Sequence, residues 1–159
     1  MSPEQARMAL LRAEIERDWQ RVGVFSERAT SVAPSTGLAE ASLVALSLDH
    51  AYQAFESMLV RIERALGLPE RPGADWHRAL LADAVLALPG LRPAVIPTGA
   101  ERPWDELRRF RHFLRHAYTV ELDSHRLAQN VRHLQEAVTA TQPSIIALLD
   151  ALGAEGPDG

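Results

Sequence analysis

Apolar residues recur at three- and four-residue steps through most of the chain, a spacing that predicts amphipathic helices. Met8, Leu11, Ile15, Trp19 and Val22 form one such stripe. Breaks containing proline or glycine separate most of the periodic segments. The predicted helices cover Pro3 to about Ala29, about Leu38 to Leu66, Asp75 to about Leu88, Pro103 to a turn at 121–123, and 124–149.

Residues at the ends of these segments are typical caps and stops. Ser2 and Asp75 each precede a helix as N-cap residues, and Gly67 follows one as a C-terminal glycine. Asp123 or Ser124 is the expected cap of the fifth helix. Pro143 should kink or interrupt the fifth helix. We expect the proline-containing segment 91–99 to be an extended linker packed on the surface.

The same periodicity predicts which side chains are buried. Leu43 and Leu46 belong to the expected buried face of the second helix, and His77 is expected at the surface of the third. As an alternative, Asp75 and His77 at the start of the third helix support the functional site. The chain shows no convincing strand and no internal repeat. The sequence therefore predicts an all-α, antiparallel bundle of about five helices in a single domain, 1–152, followed by a disordered tail, 153–159.

Composition narrows the functional classes. The chain has no cysteine, which excludes disulfides and thiolate metal sites, and its 17 basic residues are all arginine. A net charge of −4 argues against a broad electrostatic grip on nucleic acid, so any RNA contact must be local. We find no apolar run of membrane-spanning length and no signal peptide, and we expect a cytoplasmic protein without a membrane segment.

Candidate chemistry is concentrated in Leu107–Tyr118, which holds four arginines, two histidines, a tyrosine and no acid. Residues five apart on an α-helix differ by roughly 140° in azimuth. Arg111 and His116 therefore do not share a face of an undistorted helix. They meet at one site if the helix bends or ends between them, or if a two-fold axis brings two copies together.

Two kinds of site are compatible with this stretch. His112 and His116 are four apart and share a face, which is a zinc-binding spacing, but no glutamate follows His112 and Arg109 and Arg115 would repel a cation. Phosphate chemistry fits better, because arginine stabilises charge on a phosphate and histidine moves a proton near neutral pH. A solvated basic helix face is the alternative without chemistry. We expect no metal and no cofactor.

The motif Arg111-His112-Phe113-Leu114-Arg115-His116-Ala117-Tyr118 resembles the signature of the HEPN superfamily, specifically of HepT-like ribonuclease toxins. Its pattern is arginine, a polar residue, three others, histidine, any residue, tyrosine. The flanking segments 91–96 and 119–123 are also similar, and the likeness covers roughly 45–149. The first helix, residues 3–29, has no counterpart in this likeness, and either extends the bundle or binds a partner.

The resemblance implies a homodimer in which two motifs face each other across the interface. Arg111 would bind and polarise the phosphate, and His116 would be the general acid or base. His112 would help to orient the site, and Arg115 would add supporting charge. Tyr118 matches the tyrosine to which a partner nucleotidyltransferase antitoxin transfers AMP; as an alternative, it is a core aromatic residue with its hydroxyl at the rim.

The leading hypothesis is a metal-independent endoribonuclease toxin that cleaves RNA at a dimer interface and is neutralised by AMP transfer to a tyrosine. The alternative is a non-catalytic helical partner or antitoxin that binds, or is modified by, a nucleotidyltransferase. A plain helical dimerisation module is a third possibility.

Overall fold

The computed structural model describes residues 1–33, 37–116 and 122–154, and these contain five α-helices. A short 3-10 turn, Thr98–Ala100, precedes the fourth helix. Within the described ranges there is no strand, and Leu88 and Arg92 form an isolated bridge. The all-α prediction is confirmed. The helices are α1 (Pro3–Thr30), α2 (Leu38–Ala65), α3 (Trp76–Ala84), α4 (Glu101–His116) and α5 (Ser124–Ala154).

Contacts around Phe55 join the helices in an antiparallel bundle. The Phe55 ring stacks on Trp104 of α4 with centroids 3.7 Å apart, and the Trp19 ring of α1 meets it edge-on at 6.3 Å. Trp104 is fully buried, and its indole N–H donates to Thr141 Oγ1 of α5 at 2.9 Å. These contacts place aromatic side chains from three helices at the centre of the core, with their polar edges satisfied.

The first helix is an integral part of this core. Its N-terminus is closed by a capping box between Ser2 and Gln5, as the position of Ser2 predicted. Leu11, Ile15 and Val22 are buried against the other helices. Residues 3–30 therefore extend the bundle and bury apolar surface, which a detached partner-binding arm would not do.

The third helix is shorter than predicted, because the chain returns to pair with its end. The carbonyl of Ala84 accepts the backbone N–H groups of Val95 and Ile96 at 2.9 and 3.0 Å, and both residues are buried. Asp75 occupies the N-cap position but makes no side-chain capping bond. The segment after α3 thus contributes to the core and carries α4 back across α2.

A buried arginine fixes this returning segment. Arg92 donates to the carbonyl oxygens of Leu86 and Asp83 at 2.8 and 3.1 Å and to the Glu63 carboxylate at 3.4 Å. These bonds tie the returning segment to backbone carbonyls at and just beyond the end of α3. The expectation of a linker merely lying on the surface was wrong.

One further detail of the prediction was wrong, and of the kink or interruption predicted at Pro143 the interruption does not occur. Leu43 and Leu46 of α2 are 40% and 52% exposed, because the buried face at this end of the helix follows Val44 and Leu48. Pro143 does not interrupt α5, which is continuous through it. The start of α5 at Ser124 agrees with the predicted cap, because Asp123 Oδ1 accepts the backbone N–H of His125 at 3.0 Å.

The fifth helix is the one described helix that is long and apolar enough to cross a membrane by length and composition. Core helices of bundles meet the same criterion, so this is weak evidence for a membrane span. Helix α5 packs on α1, α2 and α4. It continues through Gly153 to Ala154, and the remainder of the predicted tail lies outside the described residues.

Candidate active site

Arg111 is a buried residue held by two carboxylates of α2. Its Nε donates to Asp49 Oδ1 at 3.0 Å and its Nη1 to Glu56 Oε1 at 3.3 Å. The residue is only 7% exposed. Two carboxylates fix the plane of the guanidinium, because each takes a different donor of the rigid fork.

Glu56 is a buried carboxylate that accepts from three side chains. Besides Arg111, its Oε2 accepts the Tyr52 hydroxyl at 2.9 Å and lies 2.8 Å from His77 Nδ1. Burial and, after it, the negative charge of Glu56 raise the pKa of Tyr52 above its ordinary value. Tyr52 therefore stays a neutral donor, and the three partners together balance a carboxylate that would be costly to bury alone.

His116 lies exposed in the last turn of α4, with its ring fixed by its own helix. Its Nδ1 lies 2.8 Å from the backbone carbonyl oxygen of His112, one turn earlier. The rings of His112 and His116 stack with centroids 4.1 Å apart. A carbonyl only accepts, so Nδ1 carries the hydrogen, and Nε2 is the ring nitrogen free to take up or release a proton. His112 thus helps to orient His116 through both its carbonyl and its ring.

Arg111 and His116 line the same cleft, of about 380 Å³, on a single chain. Neither a break in α4 nor a second copy is needed to bring them together, since α4 is continuous to His116. The long Arg111 side chain crosses to α2, whereas His116 reaches the cleft from the helix end. The lining comprises Tyr52, Ala74, Asp75, His77, Arg78, Arg108, Arg111, His112, Arg115 and His116.

The cleft is rich in cationic side chains although the chain is acidic overall. Arg78 and Arg115 are exposed at its edge, on α3 and α4 respectively. Arg108 is partly buried and bonded to Asp105 at 2.8 Å. The lining contains four arginines and three histidines but only one aspartate. Such a local concentration of guanidinium groups suits a polyanionic ligand.

Sequence reasoning favoured a surface position for His77 and kept support of the site only as the alternative, whereas the structure places it in the cleft lining. Its side chain is 35% exposed rather than free on the surface, and it stacks on Trp76 with centroids 3.7 Å apart. The signal that points to it is Glu56, an acid on the apolar face of α2 four residues after Tyr52. A carboxylate in that position requires a buried donor from a neighbouring element.

The remaining residues of the predicted motif segment have different positions. Arg115 lines the cleft as expected, whereas Arg109 points outward and pairs with Asp105 at 3.0 Å. Tyr118 lies outside the described residues. Among the residues that are described, no three histidine, cysteine or acidic side chains are grouped closely enough to hold a metal ion.

A family model described as HepT-like protein matches residues 43–152. The match contains the cleft residues of α2, α3 and α4 and excludes α1. No curated protein and no solved structure matches the chain.

Replacing Arg111 tests whether it supports the fold as well as the site. In Arg111→Met, Asp49 and Glu56 lose their shared cation, and we expect a loss of about 3–5 kcal/mol in the free energy of unfolding. The matched control, Arg109→Met in the same helix, should change it by less than about 0.5 kcal/mol, because that side chain is exposed. Urea denaturation measures both. Equal effects would contradict the buried arrangement.

Proposed function

The chain belongs to the family of HepT-like proteins, and from that premise we propose that it is a metal-independent endoribonuclease toxin of a toxin–antitoxin system. The observation that carries the proposal is the cleft, where Arg111 and His116 lie together among further arginines. Such a set supplies the two requirements of RNA phosphodiester cleavage, proton transfer and stabilisation of charge on the phosphate.

His116 is the general acid or base of this reaction. Because its Nδ1–H is directed at the His112 carbonyl, Nε2 is the nitrogen that exchanges a proton with the substrate. The attacking group is the ribose 2′-hydroxyl, and the products are a 2′,3′-cyclic phosphate and a 5′-hydroxyl end. This chemistry assigns no step to a metal ion.

Arg111 acts on the phosphate from a fixed position. Its two carboxylate partners hold the guanidinium plane, and their negative charges offset the attraction of Arg111 for a phosphate. The exposed Arg115 and Arg78 therefore supply most of the attraction for the RNA backbone. Phosphate contacts of this kind give affinity without sequence preference. The proposed substrate is therefore an RNA segment that enters the cleft without a sequence preference set by these contacts.

Tyr118 is the proposed site of inactivation, by AMP transfer from a nucleotidyltransferase antitoxin. It lies two residues beyond His116, so an AMP group there would bring negative charge to the cationic cleft. The other tyrosine, Tyr52, is buried and bonded to Glu56, which makes it a poor acceptor. RNA, ATP and the antitoxin meet in the cytoplasm, where we place the protein.

A homodimer is proposed with its interface at the end of the bundle that carries His116. Because Trp104 stacks on Phe55 and Arg111 binds Asp49, α4 runs antiparallel to α2, and its last turn lies toward the N-terminal half of α2. Leu43 and Leu46 are exposed there, and Leu46 is one turn from Asp49. A second copy covering these leucines would bring the two clefts together.

The non-catalytic alternative is favoured by one observation. Arg111 is buried and already bonded to two carboxylates, which compete with a phosphate for its donors. In that case the cationic cleft would dock an acidic partner or nucleotide without cleaving RNA. The two functions differ in whether the unmodified protein has nuclease activity.

Loss of His116 should abolish cleavage. We expect the wild type to cut a labelled single-stranded RNA in EDTA, and His116→Ala to be slower by about 10²-fold or more, the usual contribution of general acid–base catalysis. His133→Ala, in the middle of α5, is the matched control and should retain full activity. An inactive wild type would support the non-catalytic alternative, and an active His116→Ala would refute the site.

Modification should depend on Tyr118. Incubation with the cognate nucleotidyltransferase and ATP should add one AMP to the wild type and none to Tyr118→Phe, measured by intact mass. The variant should still cleave RNA, and it should no longer be inhibited by the antitoxin. An adduct on Tyr118→Phe at wild-type yield would show that another residue is the acceptor.

Disrupting the exposed leucines should separate the dimer. Leu46→Glu places a charge in the proposed apolar interface and should give a monomer by light scattering. The monomer should still unfold cooperatively on heating, which shows that the subunit remains folded. Leu10→Glu is the matched control, since Leu10 is 60% exposed on α1 near the opposite end of the bundle. Dimeric Leu46→Glu, or dissociation by Leu10→Glu, would place the interface elsewhere.

A further inference from the structure

A histidine from a different helix also lines the cleft. His77 belongs to the first turn of α3 and shares the cleft lining with the α4 residues Arg111 and His116. The two histidines are anchored differently, His77 at the Glu56 carboxylate and His116 at the His112 carbonyl. The cleft therefore brings an imidazole of α3 to the same lining as Arg111 and His116 of α4.

The Glu56 contact sets the tautomer of His77. Glu56 is kept as an acceptor by the Arg111 guanidinium and the Tyr52 hydroxyl, so His77 Nδ1 carries the hydrogen of the 2.8 Å contact. Nε2, on the other side of the ring, is directed away from Glu56. The Trp76 ring, stacked on His77, holds the imidazole in this orientation.

The different anchors suit different proton-transfer roles. A carboxylate at Nδ1 stabilises an imidazolium, the form that donates a proton. His116 Nδ1 faces a neutral backbone carbonyl and no carboxylate, an arrangement that suits the group that accepts a proton. Cleavage by a 2′-hydroxyl needs one group of each kind, a base for the nucleophile and an acid for the leaving oxygen.

We propose that His77 is the general acid of this site and His116 its general base. The inference rests on the proposed ribonuclease function. His116 Nε2 takes the proton of the 2′-hydroxyl as O2′ forms its bond to phosphorus. The bond from phosphorus to O5′ breaks, and His77 Nε2–H gives its proton to that oxygen. Proton exchange with solvent returns both rings to their starting forms.

The test compares two substrates with different leaving groups. RNA has an alkoxide leaving group that must be protonated, whereas a nucleoside 3′-(4-nitrophenyl phosphate) releases a stable phenolate that needs no acid. We expect His77→Ala and His77→Gln to slow RNA cleavage by about 10²-fold and to leave the rate on the nitrophenyl ester unchanged. His116→Ala should slow both reactions.

The outcomes separate this inference from the proposed function. Wild-type cleavage with unaltered rates in both His77 variants overturns the role of His77 and leaves the ribonuclease function intact. Equal losses on both substrates, in variants with wild-type circular dichroism and melting temperature, make His77 a positioning residue and also overturn the assignment. A wild type inactive on both substrates refutes the ribonuclease function and the inference with it.

Discussion

One buried carboxylate, Glu56, determines how the cleft is built. Its two oxygens accept from residues on three helices: Tyr52 of its own helix, His77 of α3 and Arg111 of α4. An isolated carboxylate inside the core would cost several kcal/mol, so each donor is held in place by the need to satisfy it. The same atoms that make the burial of Glu56 tolerable therefore fix the geometry of the cleft.

This arrangement explains how a protein with a net charge of −4 presents a cationic surface. Two acids of α2, Asp49 and Glu56, neutralise Arg111 beneath the cleft. Exposed Arg78 and Arg115 remain at its edge. Because the two signs are separated by depth, arginines outnumber acids in the cleft lining although acids outnumber arginines in the whole chain.

The bundle supplies the rigidity that such a site requires. Phe55 lies one residue before Glu56 on α2, and its stacking on Trp104 fixes the register between α2 and α4. The buried hydrogen bond from Trp104 to Thr141 adds α5 to the same unit. A side chain as long as Arg111 stays in one orientation because the helices on both sides of it cannot slide.

Apolar periodicity by itself determined the all-α bundle, with five helices in the described residues, and Ser2 and Asp123 marked helix starts, because these signals are local. The motif from Arg111 to His116 also placed the candidate site within one segment. Tertiary packing decided the rest: α3 ends at Ala84 because a distant segment takes its carbonyl, and Leu46 faces outward because the bundle sets the face of α2. His77 joined the site only through Glu56, twenty-one residues away in sequence, and no local pattern encodes that contact.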